Sequence, residues 1–171
     1  LEYGIINSYV VPVLSIPTFF SFSIASALLP NITKLYAKKK YKDFNKKLIK
    51  LIMLSMLVGL MCLTIILLFP DKILELIYGV SFGVNYIYLI GPFFLILYIQ
   101  PTLSVGIQAM GKTSKLFYVS LISIITKYLI LVLAGENGYG MNSLVFSMIT
   151  GIIITTSLVT FIILKELNKK P

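Results

Sequence analysis

The stretch Leu28–Lys50, LLPNITKLYAKKKYKDFNKKLIK, most constrains what this chain can fold into. An apolar run stops at Pro30, and residues 34–50 then carry eight lysines against one acid, Asp43. On either side the sequence is apolar over the length of a bilayer crossing, which takes about 20 residues. Lysine in short loops between spans stays on the cytoplasmic side. The run is therefore a topology signal rather than a nucleic-acid site, and placing it inside fixes the direction of every other segment. Composition agrees: the chain is 58% hydrophobic and 12% charged, where soluble globular chains average roughly 45–50% and about 25%.

Five spans follow, at residues 5–29, 51–69, 84–110, 116–134 and 142–164. The first carries Pro12 and Pro17 and a scatter of Asn7, Ser8, Ser15, Ser21, Ser23 and Ser26. Prolines in a spanning helix free backbone carbonyls that neighbours must satisfy, and small hydroxyl residues permit close helix packing. This span is expected inside a bundle. In the basic loop, Tyr41, Phe44, Leu48 and Leu51 recur at helical spacing, so an amphipathic helix at the inner interface is expected there, held by anionic lipids. The second span ends at Pro70, and Asp71–Gly79 reads as a short amphipathic outer helix terminated by glycine. The third span is interrupted by Gly91-Pro92 and Gln100-Pro101, with Gly106 and Gln108 beyond, which predicts a tilted or broken helix of the kind that lines transporter sites.

Lys127 stands out in the fourth span. It lies eleven residues past Leu116, so roughly 16 Å along a helix rising 1.5 Å per residue. A lysine at that depth costs at least about 2.5–3.5 kcal/mol, so it is expected to face a cavity or a partner. The inner segments, including Lys112, Lys115, Lys165, Lys169 and Lys170, hold thirteen of the fifteen lysines. That predicts an outside N-terminus and an inside C-terminus.

Chemistry of other kinds is not expected. The chain has no histidine and one cysteine, Cys62, which excludes an internal disulfide and a Cys/His metal cluster. The Gly111-Lys112-Thr113 triplet lacks the earlier glycine of a phosphate-binding loop and joins two apolar spans, so it reads as a turn. No acidic pair or activated nucleophile suits enzymatic work. We expect no enzyme activity, no cofactor, no metal and no nucleic-acid partner. The chain opens with Leu1 and shows no signal-peptide pattern, so a fragment of a longer protein is expected.

Three stretches carry a family resemblance. ALLPNITKLYAKKK is similar to the small-residue, P-x-[IL]-[ST] helix end of the polysaccharide-exporter and stage V sporulation protein B family. FPDKILELIYG resembles that family's segment between spans, and VGIQAMGK its G-x-x-Q-A-x-G-K helix end. Lys127 sits where members often carry a lysine. The wider group is the multidrug/oligosaccharidyl-lipid/polysaccharide (MATE-like) flippase superfamily. The resemblance implies an all-α membrane protein built of two helical bundles around a central cavity, with this chain supplying most of the second bundle and the first bundle missing. It also implies alternating-access movement of lipid-linked oligosaccharide, polysaccharide or peptidoglycan precursor across the plasma membrane. By analogy, Lys127, Gln100 and Gln108 would face the cavity and meet phosphate or sugar. Lipid II flippases rely on cavity arginines, and this chain has none. The alternatives are a cation-coupled multidrug exporter of the same superfamily and a non-transporting membrane scaffold.

Overall fold

A computed structural model describes residues 2–140 and 142–168. Lys169 and Lys170, two of the thirteen lysines assigned to the inner face, lie outside the described residues. The chain folds as α1 (Glu2–Ile5), a π-helical turn (Ile6–Val10), α2 (Val11–Ala37), α3 (Tyr41–Leu68), α4 (Pro70–Tyr78), α5 (Val84–Ala109), α6 (Thr113–Glu136) and α7 (Asn142–Asn168). No strand occurs among the described residues. Five helices, of 24 to 35 residues, are long and apolar enough to cross a membrane, the first running unbroken over Tyr3–Ala37. The architecture is all-α, multi-pass and membrane-embedded.

Helix boundaries differ from the hydropathy reading in one direction. The first span does not stop at Leu29: α2 passes through Pro30 and ends at Ala37. The second begins at Tyr41 rather than Leu51. The basic stretch is thus two helix ends joined by the turn Lys38–Lys40, with Lys39 at φ 58. Lysine is a good helix former, and Phe44, Leu48 and Leu51 are buried on one face of α3, so a single helix carries both the amphipathic and the spanning segment.

The prolines do not break the helices either. Pro12 follows the π-helical turn, where the Val11 N–H bonds to the carbonyl of Ile6, five residues back. One extra residue in a turn is a known way of absorbing a helix irregularity. Pro17, Pro92 and Pro101 lie inside continuous helices. Near Pro17, the Tyr98 hydroxyl donates to the Leu14 carbonyl at 2.8 Å, an inter-helix bond wholly inside the bundle. The third span is one unbroken helix despite its two prolines.

α5 is the central element, packed against α2, α3 and α7, whereas α6 packs mainly on α7. α6 buries only Val119 and Ser123 among its residues and so forms one edge of the bundle. Two apolar cores result. One surrounds Leu14, Ile87, Phe94 and Tyr98 toward the α4 end. The other surrounds Ile32, Phe44, Leu48, Ile107 and Ile163 toward the lysine-rich end. Outward positions such as Phe19, Met53, Leu60, Phe117 and Ile124 are large, apolar and exposed, as a lipid-facing surface requires.

One contact sets the α3–α5 spacing. A Cβ added at Gly59 would lie 2.5 Å from Tyr98 Cδ2 and 2.9 Å from its Cβ. Tyr98 is fully buried and anchored by its hydroxyl, so it has nowhere to move. Gly59→Leu is expected to cost about 3 kcal/mol, the upper part of the usual range for overpacking. Thermal unfolding in detergent should show a lowered midpoint. A Gly59→Leu midpoint equal to the parent's would contradict this packing.

Candidate functional site

A polar surface within the bundle lies between α2 and α5. There a groove of about 460 Å³ is lined by Ser15, Thr18 and Ser26 from α2 and by Gln100, Ser104 and Gln108 from α5, with Phe22 and Leu97 among the apolar walls. These residues share a face by helical spacing: 15, 18, 22 and 26 on one helix, and 97, 101, 104 and 108 on the other, recur at three and four. Ser15 and Thr18 donate to their own helix, at the Val11 carbonyl (2.7 Å) and the Ser15 carbonyl (2.5 Å). A hydroxyl so engaged retains acceptor capacity. The lining is uncharged and rich in hydroxyl and amide groups, suited to hydrogen-bonding neutral polar ligands.

Gln100 ties this groove to α7. Its Nε2 donates to Thr156 Oγ1 at 2.8 Å and to the Ile152 carbonyl at 3.3 Å. The adjacent turn of α7 meets α6 through further polar contacts. Ser123 donates to the Gly151 carbonyl, and Thr155 donates to Ser123 Oγ at 2.7 Å. Gln100, Thr156, Thr155 and Ser123 therefore form a polar layer across α5, α7 and α6.

Lys127 belongs to the α6 side of that layer. It is exposed and not among the residues lining the α2–α5 groove. Its stem lies against Gly151: a Cβ there would sit 2.5 Å from Lys127 Cγ and 3.0 Å from Cε. Gly151 thus makes room for the lysine stem, one residue before the carbonyl that Gln100 binds. The ion pairs among the described residues all involve Glu166, so Lys127 forms none. The structure brings Gln100 and Gln108 together and keeps Lys127 on a neighbouring helix at the level of Gly151.

A second polar constellation was not anticipated from sequence. Glu166, only 4% exposed, accepts from both Lys112 and Lys115, clamping the α5–α6 turn to the end of α7. In hydropathy terms those lysines were topology markers and Glu166 one acid in a basic tail. The available signal was that Glu166 and Asp43 are the acids of the lysine-bearing segments. Among the described residues no cluster of potential metal ligands occurs.

The model of the MatE family matches residues 7–133, most of the chain. Stage V sporulation protein B of Bacillus subtilis (strain 168) is 29% identical over 158 residues, covering 92% of this chain and 30% of that protein. Sporulation protein YkvU of the same organism is 27% identical, covering 92% of this chain and 36% of its own length. Capsular polysaccharide biosynthesis protein CapF of Staphylococcus aureus is 32% identical over 119 residues, covering 68% and 30%. The chain spans about a third of the length of these relatives, and no solved structure matches it. Five bilayer-length helices in an all-α bundle, together with this match over most of its length, make the chain a member of the MatE family, within the MATE-like flippase superfamily that its helix-end motifs resemble.

Proposed function

We propose that this chain is the greater part of the second bundle of a flippase that moves a lipid-linked oligosaccharide, polysaccharide or peptidoglycan precursor across the plasma membrane by alternating access. The observation that carries the reading is the uncharged groove in which Gln100, Gln108, Ser15, Ser26 and Ser104 converge between two bilayer-length helices. Sugar hydroxyls need donors and acceptors rather than charge, and amide and hydroxyl side chains provide both. A groove of this polarity is of little use to a passive anchor, whose helices need only apolar and small contacts. The name of the capsular polysaccharide relative supports the same substrate class. In this reading a first bundle, N-terminal to the chain, completes the cavity, and Lys127 meets the phosphate of the carrier lipid.

The orientation follows from charge. The α2–α3 and α5–α6 turns and the end of α7 hold most of the lysines, so these ends are cytoplasmic by the positive-inside rule. A reporter inserted at residues 38–40 is expected to read cytoplasmic and one at 137–140 external. The reverse pattern would overturn the orientation.

The functional test is translocation by the complete protein in liposomes, with a fluorescent lipid-linked saccharide and an impermeant quencher. Protein-dependent protection of the label from quenching is expected. Absence of protection, with cation-driven dye efflux in its place, would transfer the chain to the drug-exporter branch.

A further inference from the structure

At the lysine-rich end, on the α3–α7 side of α5, the bundle carries a second and differently built recess. A cavity of about 600 Å³ is lined by Lys39, Lys40, Lys42, Asp43, Asn45 and Leu167. None of its three lysines forms an ion pair, since the ion pairs of the described residues all involve Glu166. Three cations against Asp43 leave the cavity with a net positive charge. Asn45 and Leu167 also line an adjoining apolar groove of about 300 Å³, walled by Leu48, Ile49, Leu103 and Ile163. That groove shares Thr160 and Leu164 with a third recess, whose walls include Ile96, Ile153 and Phe161.

The three recesses adjoin one another through shared lining residues. They run along α7 from Leu167 to Ile153, fourteen residues, or roughly 21 Å at 1.5 Å per residue. Half of a bilayer's hydrocarbon core is about 15 Å, so the groove is long enough for an acyl chain over one leaflet. Asn45 stands where the basic and apolar parts meet.

The geometry points to a binding slot for one anionic phospholipid, its phosphate on Lys39, Lys40 and Lys42 and an acyl chain in the α3–α5–α7 groove. Charge complementarity at the headgroup and apolar walls at chain depth together describe a phospholipid, whereas a soluble anion would use only the first. The slot rests on the membrane-spanning reading and not on the transport reading, so it stands or falls apart from the flipping assay.

The test is native mass spectrometry of the purified protein in mild detergent, offered phosphatidylglycerol and phosphatidylcholine of matched acyl chains. The parent is expected to retain phosphatidylglycerol at least tenfold better, since each lysine near an anionic surface is worth about fivefold. Lys39→Gln/Lys40→Gln/Lys42→Gln should bring the two lipids near parity. Ile49→Trp, at a position 56% exposed on the groove wall, should reduce retention of both. Leu57→Trp, equally exposed on α3 and outside the grooves, should change neither. Should Ile49→Trp elute as aggregate, Leu164→Trp on the α7 wall gives the same reading. Equal retention of the two lipids by the parent, or an undiminished preference in the triple variant, would overturn the slot. Loss of preference in the triple variant with no effect of either groove tryptophan would also overturn it, leaving only surface attraction. Absence of any lipid adduct on the parent would likewise overturn the slot.

Discussion

Lys127→Ala is expected to abolish translocation by the complete protein while leaving its insertion and thermal stability equal to or better than the parent's. The two halves of this expectation have opposite signs for a physical reason. A lysine within a spanning helix opposes insertion by about 2.5–3.5 kcal/mol, so its removal relieves a penalty. Among the described residues, Lys127 also forms no ion pair whose loss would strand a buried acid. Its stem rests on Gly151, and truncation there leaves only a shallow gap at an exposed position. In the proposed function, the ammonium of Lys127 meets the phosphate of a lipid carrier. The measurements are quencher protection for transport and membrane-fraction yield with detergent melting for integrity. Parent-like translocation by Lys127→Ala would remove the lysine from the substrate path.

The second large effect concerns the Glu166 clamp. Replacing both Lys112 and Lys115 with methionine is expected to destabilise the bundle by about 3–5 kcal/mol, the usual consequence of leaving a buried charge without its partners. Glu166 is 4% exposed, whereas the two lysines are 33% and 42% exposed. The asymmetry in exposure predicts an asymmetry in outcome. Glu166→Gln frees two lysines that can turn to water, so its cost is expected near 1–2 kcal/mol, a lost charged hydrogen bond. Detergent melting of the three proteins ranks them. If Glu166→Gln proves more damaging than the double lysine variant, the carboxylate is not the desolvated member and the clamp is misassigned.

The clamp also marks the limit of what a linear reading reaches. Lys112 and Lys115 each lie more than fifty residues before Glu166, and hydropathy treats each of the three as a loop charge. Only the return of α7 to the end of α5 brings them together. The prolines teach the same lesson. Pro92 and Pro101 weaken a helix considered alone, yet α5 is unbroken because it is the central helix, packed on three sides. Gln100 and Gln108 were legible as polar residues in an apolar run, and their spacing of eight places them on one helix face. That their face is opposed by Ser15, Thr18 and Ser26 of α2 follows from packing.

What the sequence by itself determined was the membrane class, the five spans and the all-α fold. These depend on local quantities, since a bilayer forces each apolar stretch of about 20 residues to satisfy its own backbone as a helix. It also singled out Lys127, because depth along a helix is a matter of counting residues. The tertiary structure alone decided that α2 and α3 extend through the basic stretch, that Gly59 must admit Tyr98, that Lys127 lies on α6 beside Gly151 and apart from the glutamine groove, and that Asn45 and Leu167 join a basic cavity to an apolar one. Those features are relations between helices distant in the chain. In a bilayer, where lipid is as apolar as leucine, helix pairing is set by close packing and a few hydrogen bonds, and no periodicity within one span records which partner it will meet.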